Sequence, residues 1–168
     1  HGDLRPLRLR GDVTLGSDQV AIERLTAAFD GKTVAGRLLY VFASANGPAK
    51  LDAALNAPEL DVDAALGFGR ALLAGSTIER PRDMTIAADI GRASFAGIDA
   101  RDASVRLKLN ADGLQIDRLS IAGLGGGAVW ASGRIDTRAS APRGALVIDF
   151  ETRQTAAIAA LAAKFAPQ

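Results

Sequence analysis

Apolar and polar residues alternate along much of this chain, and no other feature of the sequence constrains the fold as strongly. Val105, Leu107 and Leu109 alternate with polar residues, a turn signal follows at residues 111–113, and Leu114 and Ile116 resume the alternation. A period of two, interrupted by a turn that contains glycine, predicts a β-hairpin with one apolar face.

The apolar positions change parity within two of the predicted strands. They move from even positions ending at Ile116 to odd positions beginning at Leu119, and in the same way from even positions ending at Ile22 to odd positions beginning at Leu25. Because successive side chains on a strand point to opposite faces, each change requires one extra residue to be accommodated. We therefore predict a β-bulge or a sharp twist at residues 23–24 and 117–118.

Two segments of the chain resemble each other at a constant offset. The run IERLT at residues 22–26 is echoed by IDRLS at residues 116–120, and the alternation and the turns around each run align as well. The sequence therefore predicts two diverged copies of one unit. We expect a truncated first unit over residues 1–75, a linker over 76–83 and a second unit over 84–168, which together form one folded module.

Each predicted unit is a series of strands that ends in an alanine-rich helix. The helices are expected over residues 63–74 and 152–165, with Asp63 and Thr152 as candidate N-caps, and strand pieces at 84–90 and 93–101 precede the second hairpin. The predicted fold class is mainly β with a few helices, in a strongly twisted and mainly antiparallel sheet. Since aromatic residues make up only 5% of the chain, small side chains must build its core, and we expect that core to be thin.

Composition argues against most catalytic and nucleic-acid functions. The net charge is +1 and the arginines are scattered among aspartates, which leaves no basic stripe for a phosphate backbone. Cysteine is absent and the one histidine is His1, so a catalytic triad and a His or Cys metal site have no residues to build on. The carboxylate pairs Asp61/Asp63 and Asp99/Asp102 are expected at a helix start and at a turn. We predict a protein that is not an enzyme and that uses no cofactor.

One glycine pattern resembles a nucleotide-binding fingerprint. Gly123, Gly125 and Ala128 fit the spacing G-x-G-x-x-[GA], which holds a pyrophosphate only when a helix follows the glycines. Residues 128–136, AVWASGRID, have the composition of a strand, and residues 125–127 align with the turn DGK at 30–32 of the first unit. We therefore interpret the glycines as a turn between two strands.

Two interpretations of the predicted apolar sheet face remain open. Either the terminal helices cover it as an ordinary core, or part of it stays open as a curved trough that accepts acyl chains, each buried CH₂ group contributing about 0.8 kcal/mol. The candidate lipid-facing residues are Val105, Leu107, Leu109, Leu114, Ile116 and Val129.

The succession of these elements resembles the AsmA-like family of bacterial cell-envelope proteins. Three runs carry the resemblance: MTIAADIGRASFAGIDARDASVRLKLNADGLQIDRLSIAGLGGGAVWASGRID at 84–136, FDGKTVAGRL at 29–38 and ELDVDAAL at 59–66. The resemblance implies a periplasmic part of a longer protein that is anchored in the inner membrane. It further implies a role in outer-membrane biogenesis and in lipid transport between the two membranes, with phospholipid acyl chains and envelope proteins as partners. The alternative is a structural or protein-interaction scaffold of the envelope that binds no ligand.

Overall fold

Nine strands form one open sheet in the computed structural model of the chain, which describes residues 7–29, 31–138 and 140–153 together with 156, 159 and 163. The strands lie in the sheet in the order in which they occur along the chain. Their bounds are β1 (Leu7–Leu15), β2 (Gln19–Phe29), β3 (Lys32–Val41), β4 (Lys50–Asp61), β5 (Asp83–Phe95), β6 (Ile98–Asn110), β7 (Gly113–Leu124), β8 (Gly127–Asp136) and β9 (Arg143–Thr152). All neighbours are antiparallel except β4 and β5, which run parallel. The prediction of a mainly β, mainly antiparallel fold is confirmed.

The parallel pair is joined by a helix, because parallel neighbours need a crossover connection. This helix, α1 (Val62–Ala74), begins at Asp61, whose Oδ1 accepts a hydrogen bond from the N–H of Ala64 at 2.9 Å. The prediction that Asp63 is the N-cap is wrong by two residues. Asp63 lies in the first turn, and its Oδ2 accepts a hydrogen bond from the N–H of Ala96 at 2.7 Å in the turn between β5 and β6.

The chain after α1 returns along the sheet to the start of β5. Residues 76–82 form this connection, so that all of the predicted linker 76–83 except Asp83 lies outside the strands. The Oη of Tyr40 in β3 donates a hydrogen bond of 2.7 Å to the carbonyl of Glu79. Burial and, to a lesser extent, the charge of Glu79 raise the pKa of this phenol. The connection is thereby attached to the sheet at β3.

The turn between β5 and β6 was misplaced in the sequence prediction. Strand pieces over 84–90 and 93–101 would break at Gly91 and Arg92, whereas β5 continues to Phe95 and the turn lies at Ala96 and Gly97. Both turn residues adopt positive φ, of 49° and 74°. Gly91, which lies within β5, was interpreted as the end of the strand, whereas Gly97 forms the turn.

The helix predicted over residues 152–165 lies for the most part outside the described residues. Thr152 itself is the last residue of β9 and is therefore not an N-cap. Residues 156, 159 and 163 are helical. The described part of the chain thus contains one complete helix, α1.

Both predicted bulges are present. In β2, Ile22 pairs with Leu38 and Leu25 pairs with Gly36, so that Glu23 and Arg24 lie opposite the single residue Arg37. In β7 the register with β8 shifts between residues 116 and 119, so that Asp117 and Arg118 lie opposite the single residue Ser132. Because cross-strand partners share a face, these pairs show that the apolar side chains before and after each bulge lie on the same face.

The core is thin, as the composition predicts. The apolar residues that are buried within the described ranges are Leu25 and six alanines: Ala49, Ala53, Ala57, Ala93, Ala100 and Ala103. The accessible surface of the chain is 11764 Å². A compact globular protein of the same 17.3 kDa mass exposes only about 7,800 Å². The additional surface is what a single sheet leaves when no second layer covers the whole of it.

Candidate functional site

One face of the sheet is apolar across all nine strands, and we refer to it as the apolar face. Cross-strand pairs link its members from edge to edge, since each pair places two side chains on the same side. Its large side chains include Leu9, Val13, Leu15, Val20, Ile22, Leu25, Phe29, Leu38, Tyr40, Leu51, Leu55, Met84, Ile86, Ile90, Val105, Leu107, Leu109, Leu114, Ile116, Leu119, Ile121, Val129, Ile135, Leu146, Ile148 and Phe150.

The six residues predicted to face lipid all lie on this face. Leu107 pairs with Ile116 and Leu109 pairs with Leu114 across β6 and β7. Val129 of β8 pairs with Ile121 of β7, and Val105 pairs with Leu119. Five of the six are half-buried and Leu109 is exposed. The structure therefore brings the predicted residues together as one continuous patch.

Within the described residues, α1 and the connection that follows it cover part of the apolar face. The ring of Phe29, at the end of β2, packs against Phe68 of α1 with the ring centroids 5.4 Å apart. Ala53 and Ala57 of β4 are buried on the same side. The cover therefore lies over the middle of the sheet, around the parallel pair.

The outer strands of the apolar face are open to solvent in the described structure. Leu15 of β1 is 75% exposed and Ile148 of β9 is 62% exposed. Nine strands spaced about 4.8 Å apart, each about 30 Å long, present a face of roughly 1,200 Å². The largest apolar patch of a typical monomer is only about 300–600 Å². Although α1 covers the middle of this face, its outer strands remain exposed, and we therefore take the apolar face as the candidate functional site.

The opposite face, which we call the polar face, carries mainly charged and hydroxyl side chains, together with the exposed apolar residues Trp130 and Val147. Its best-connected cluster joins Asp89, Ser104 and Arg106: Arg106 Nη2 lies 2.9 Å from Asp89 Oδ2, and Ser104 Oγ donates to Asp89 Oδ1 at 2.8 Å. The hydrogen bond from Arg106, and secondarily the one from Ser104, lowers the pKa of Asp89. The charges of Asp89 and Arg106 therefore neutralise each other within this cluster.

The carboxylates singled out in the sequence serve the backbone or lie in a strand. Asp61 caps α1, and Asp63 accepts a hydrogen bond from Ala96. Asp99 and Asp102 were expected at a turn, but both lie within β6. The described residues include no group of three or more His, Cys, Asp or Glu side chains that could hold a metal ion.

The glycine run at 123–127 is a turn between strands. Gly125 and Gly126 adopt φ of 57° and 89° between β7 and β8, and a strand follows them directly. This geometry confirms the interpretation of the run as a hairpin turn and leaves no helix N-terminus for a pyrophosphate.

Comparison with known proteins does not add to this description: no family model, curated protein or solved structure matches the chain. Within the described ranges, no helix combines the length and the apolar character needed to cross a membrane.

Proposed function

We propose that the chain is a non-enzymatic periplasmic module of an AsmA-like protein, and that its apolar face contacts the acyl chains of phospholipids during lipid transport between the inner and outer membranes. The parent protein would be anchored in the inner membrane and act in outer-membrane biogenesis. The observation that carries the proposal is the extent of the apolar face together with its partial cover. Binding of an acyl chain along such a face is favoured in proportion to the apolar area that both partners bury.

The arrangement of strands also supports the proposal of two related units. At the offset of 94, β2 corresponds to β7, and the bulge at residues 23–24 corresponds to the bulge at 117–118. One detail of the sequence alignment does not fit this correspondence. Gly36 pairs with Leu25, before which the bulge lies, whereas Gly133 pairs with Ile116 on the other side of the bulge, so the two glycines are not equivalent.

Co-purification of lipid tests the acyl-chain function directly. The chain is expressed in bacteria and purified without detergent, and an organic-solvent extract is analysed for phospholipid by mass spectrometry. The double variant Leu107→Gln/Ile116→Gln places two amides on the apolar face. We expect it to carry about fifteenfold less lipid, because losing contact with two CH₂ groups weakens binding by about 1.6 kcal/mol.

A matched control comes from the same hairpin. Lys108 and Gln115 pair directly opposite each other on the polar face, one residue away from Leu107 and Ile116. The variant Lys108→Ala/Gln115→Ala should carry as much lipid as the unmodified chain. If the unmodified chain carries no phospholipid, the alternative of a ligand-free envelope scaffold replaces this proposal. If both double variants retain phospholipid equally, the lipid is not held on the apolar face and the proposed site is wrong.

A further inference from the structure

Two arginines lie directly opposite each other near one end of the sheet. Arg92 of β5 pairs with Arg101 of β6, and both side chains are exposed. Like charges at directly opposed positions of an antiparallel pair destabilise the sheet. Their sequence neighbours Ala93 and Ala100, which also pair with each other, are buried, so the arginines border a packed part of the sheet.

A second arginine pair in the same sheet shows how such a repulsion is relieved. Arg106 lies opposite Arg118, and the carboxylate of Asp89 binds Arg106 at 2.9 Å. Within the described residues, neither Arg92 nor Arg101 has a carboxylate oxygen within the 4.0 Å of an ion pair. The two positive charges of this pair are therefore available to an anion from solution.

The two arginines line a cavity that is large enough for a small anionic group. Its volume is about 390 Å³, and its remaining lining residues are Asp99, Gly123, Gly125 and Gly126. A Cβ atom on Gly123 would lie 3.2 Å from the Cβ and 3.3 Å from the Nε of Arg101. The glycine at this position thus leaves the room in which the Arg101 side chain lies.

The lining suggests a ligand that carries both charges. Guanidinium groups bind phosphate oxygens through paired hydrogen bonds, and Asp99 can accept a hydrogen bond from an ammonium group. A fully anionic ligand would be repelled by Asp99, whereas a zwitterion satisfies all three side chains. We propose that this cavity binds a phosphoethanolamine group, with its phosphate on Arg92 and Arg101 and its ammonium on Asp99.

The assignment deepens the proposed function, because the same group is the head group of a phospholipid, and in that respect it rests on the proposed function. Glycerophosphoethanolamine presents the group without acyl chains. Its binding therefore tests the cavity separately from the apolar face. The short-chain lipid dihexanoylphosphatidylethanolamine tests the two sites together.

The experiment is an NMR titration of the ¹⁵N-labelled chain with glycerophosphoethanolamine, glycerophosphocholine and inorganic phosphate in parallel. We expect saturable shifts at residues 92, 99, 101 and 123–126 with glycerophosphoethanolamine. Arg92→Gln/Arg101→Gln should weaken the affinity at least about tenfold, since two charge-assisted contacts are lost. Arg118→Gln, the matched control from the neutralised pair, should leave it unchanged.

Two further variants sharpen the outcome. Asp99→Asn should abolish the preference for the ethanolamine over the choline compound, whose quaternary ammonium has no N–H to donate. Gly123→Ala keeps all charges but displaces Arg101, and it should weaken binding. The proposal is overturned if the shifts lie elsewhere, if Arg92→Gln/Arg101→Gln binds as well as the unmodified chain, or if inorganic phosphate binds as tightly as glycerophosphoethanolamine. Tighter binding of the short-chain lipid would support the head-group source, and equal binding would indicate a water-soluble phosphate compound.

Discussion

Deleting one residue from the middle of β2 should leave the fold intact and make it more stable. Glu23 and Arg24 lie opposite the single residue Arg37, and on the other side Arg10 pairs with Thr26 while Asp12 pairs with Glu23. Removing Arg24 leaves one residue opposite one residue on both sides. Ile22 and Leu25 then keep their present partners in β3 and remain on the apolar face, because the bulged residue is the extra one in the parity pattern.

The size of the effect follows from the conformation and exposure of Arg24. Its φ is 49°, the left-handed region, which costs a residue with a Cβ atom roughly 1–2 kcal/mol. The deletion also removes the ion pair with Asp12. Both side chains are well exposed, 84% for Arg24 and 57% for Asp12, so that pair contributes at most about 1 kcal/mol. We expect the free energy of unfolding to rise by about 0.5–1 kcal/mol.

Urea unfolding followed by circular dichroism measures the change, with an unaltered m-value as evidence that the same surface is buried. The matched control deletes Thr26, two residues further along the same strand. There the ladder closes only if Leu25 moves to the polar face and Arg24 takes its place on the apolar face. Leu25 is 8% exposed, so this deletion should cost about 1.5–3 kcal/mol or more. If deleting Arg24 is as damaging as deleting Thr26, the bulged residue is not supernumerary and the reasoning fails.

Two further predictions concern backbone space and a surface charge. Gly133→Ala should lower the free energy of unfolding by at least about 2 kcal/mol, as measured by urea titration. The φ of Gly133 is 150°, and the new Cβ would lie 2.2 Å from the carbonyl oxygen of Ala145. Gly67 lies in open space on α1, so Gly67→Ala should raise the free energy of unfolding by about 0.5–1 kcal/mol. Hydrogen bonds from Arg138 lower the pKa of Asp136 to about 2. This carboxylate therefore contributes stability above its unfolded pKa of about 3.9, and the contribution is lost as the pH falls toward about 2. In an NMR titration Arg138→Gln should return the midpoint of Asp136 toward its ordinary value; an unchanged midpoint would contradict the assigned cause.

The bulges could be predicted from sequence because parity is a strictly local signal. A strand with one buried face cannot change the parity of its apolar residues without an irregularity, and the changes at Ile22 to Leu25 and at Ile116 to Leu119 locate it within two residues. The hairpin turns at 111–112 and 125–126 could be predicted for a similar reason. Gly113 directly follows the first of these turns and Gly125 and Gly126 form the second, each between two alternating runs.

The start of α1 and the β5–β6 turn were harder because several residues offered the same signal. Asp61 and Asp63 can both cap a helix, and what separates them is tertiary: the backbone N–H of Ala96 lies close enough to bind Asp63. In the same way Gly91 and Gly97 both suggest a break in the strand. A Cβ on Gly91 would lie 2.7 Å from the carbonyl oxygen of Pro58 in the neighbouring strand, so that glycine is required by close packing within the sheet.

The cavity lined by Arg92 and Arg101 could be predicted only from the pairing of β5 with β6, and the alternation of apolar residues does not show it. Arg92 and Arg101 become opposite only once the turn is placed at Ala96 and Gly97, since an error in the turn moves every pair of the hairpin. With the break assigned to Gly91 and Arg92, Arg92 belonged to the break and had no predicted partner. A turn placed at Ala96 and Gly97 predicts that two like charges lie directly opposite each other, which is an unfavourable pairing.

Coverage of the apolar face follows from topology more than from composition. Successive antiparallel strands are joined by short turns, which lie at the ends of the strands and cover no face. A parallel pair needs a crossover, which must run back over one side of the sheet. In the described residues the one parallel pair is β4 and β5, and the cover by α1 is centred on it. The strands on either side are antiparallel meanders, so nothing in their own connections can cover them. Within the described residues, the long apolar face is therefore a consequence of strand order.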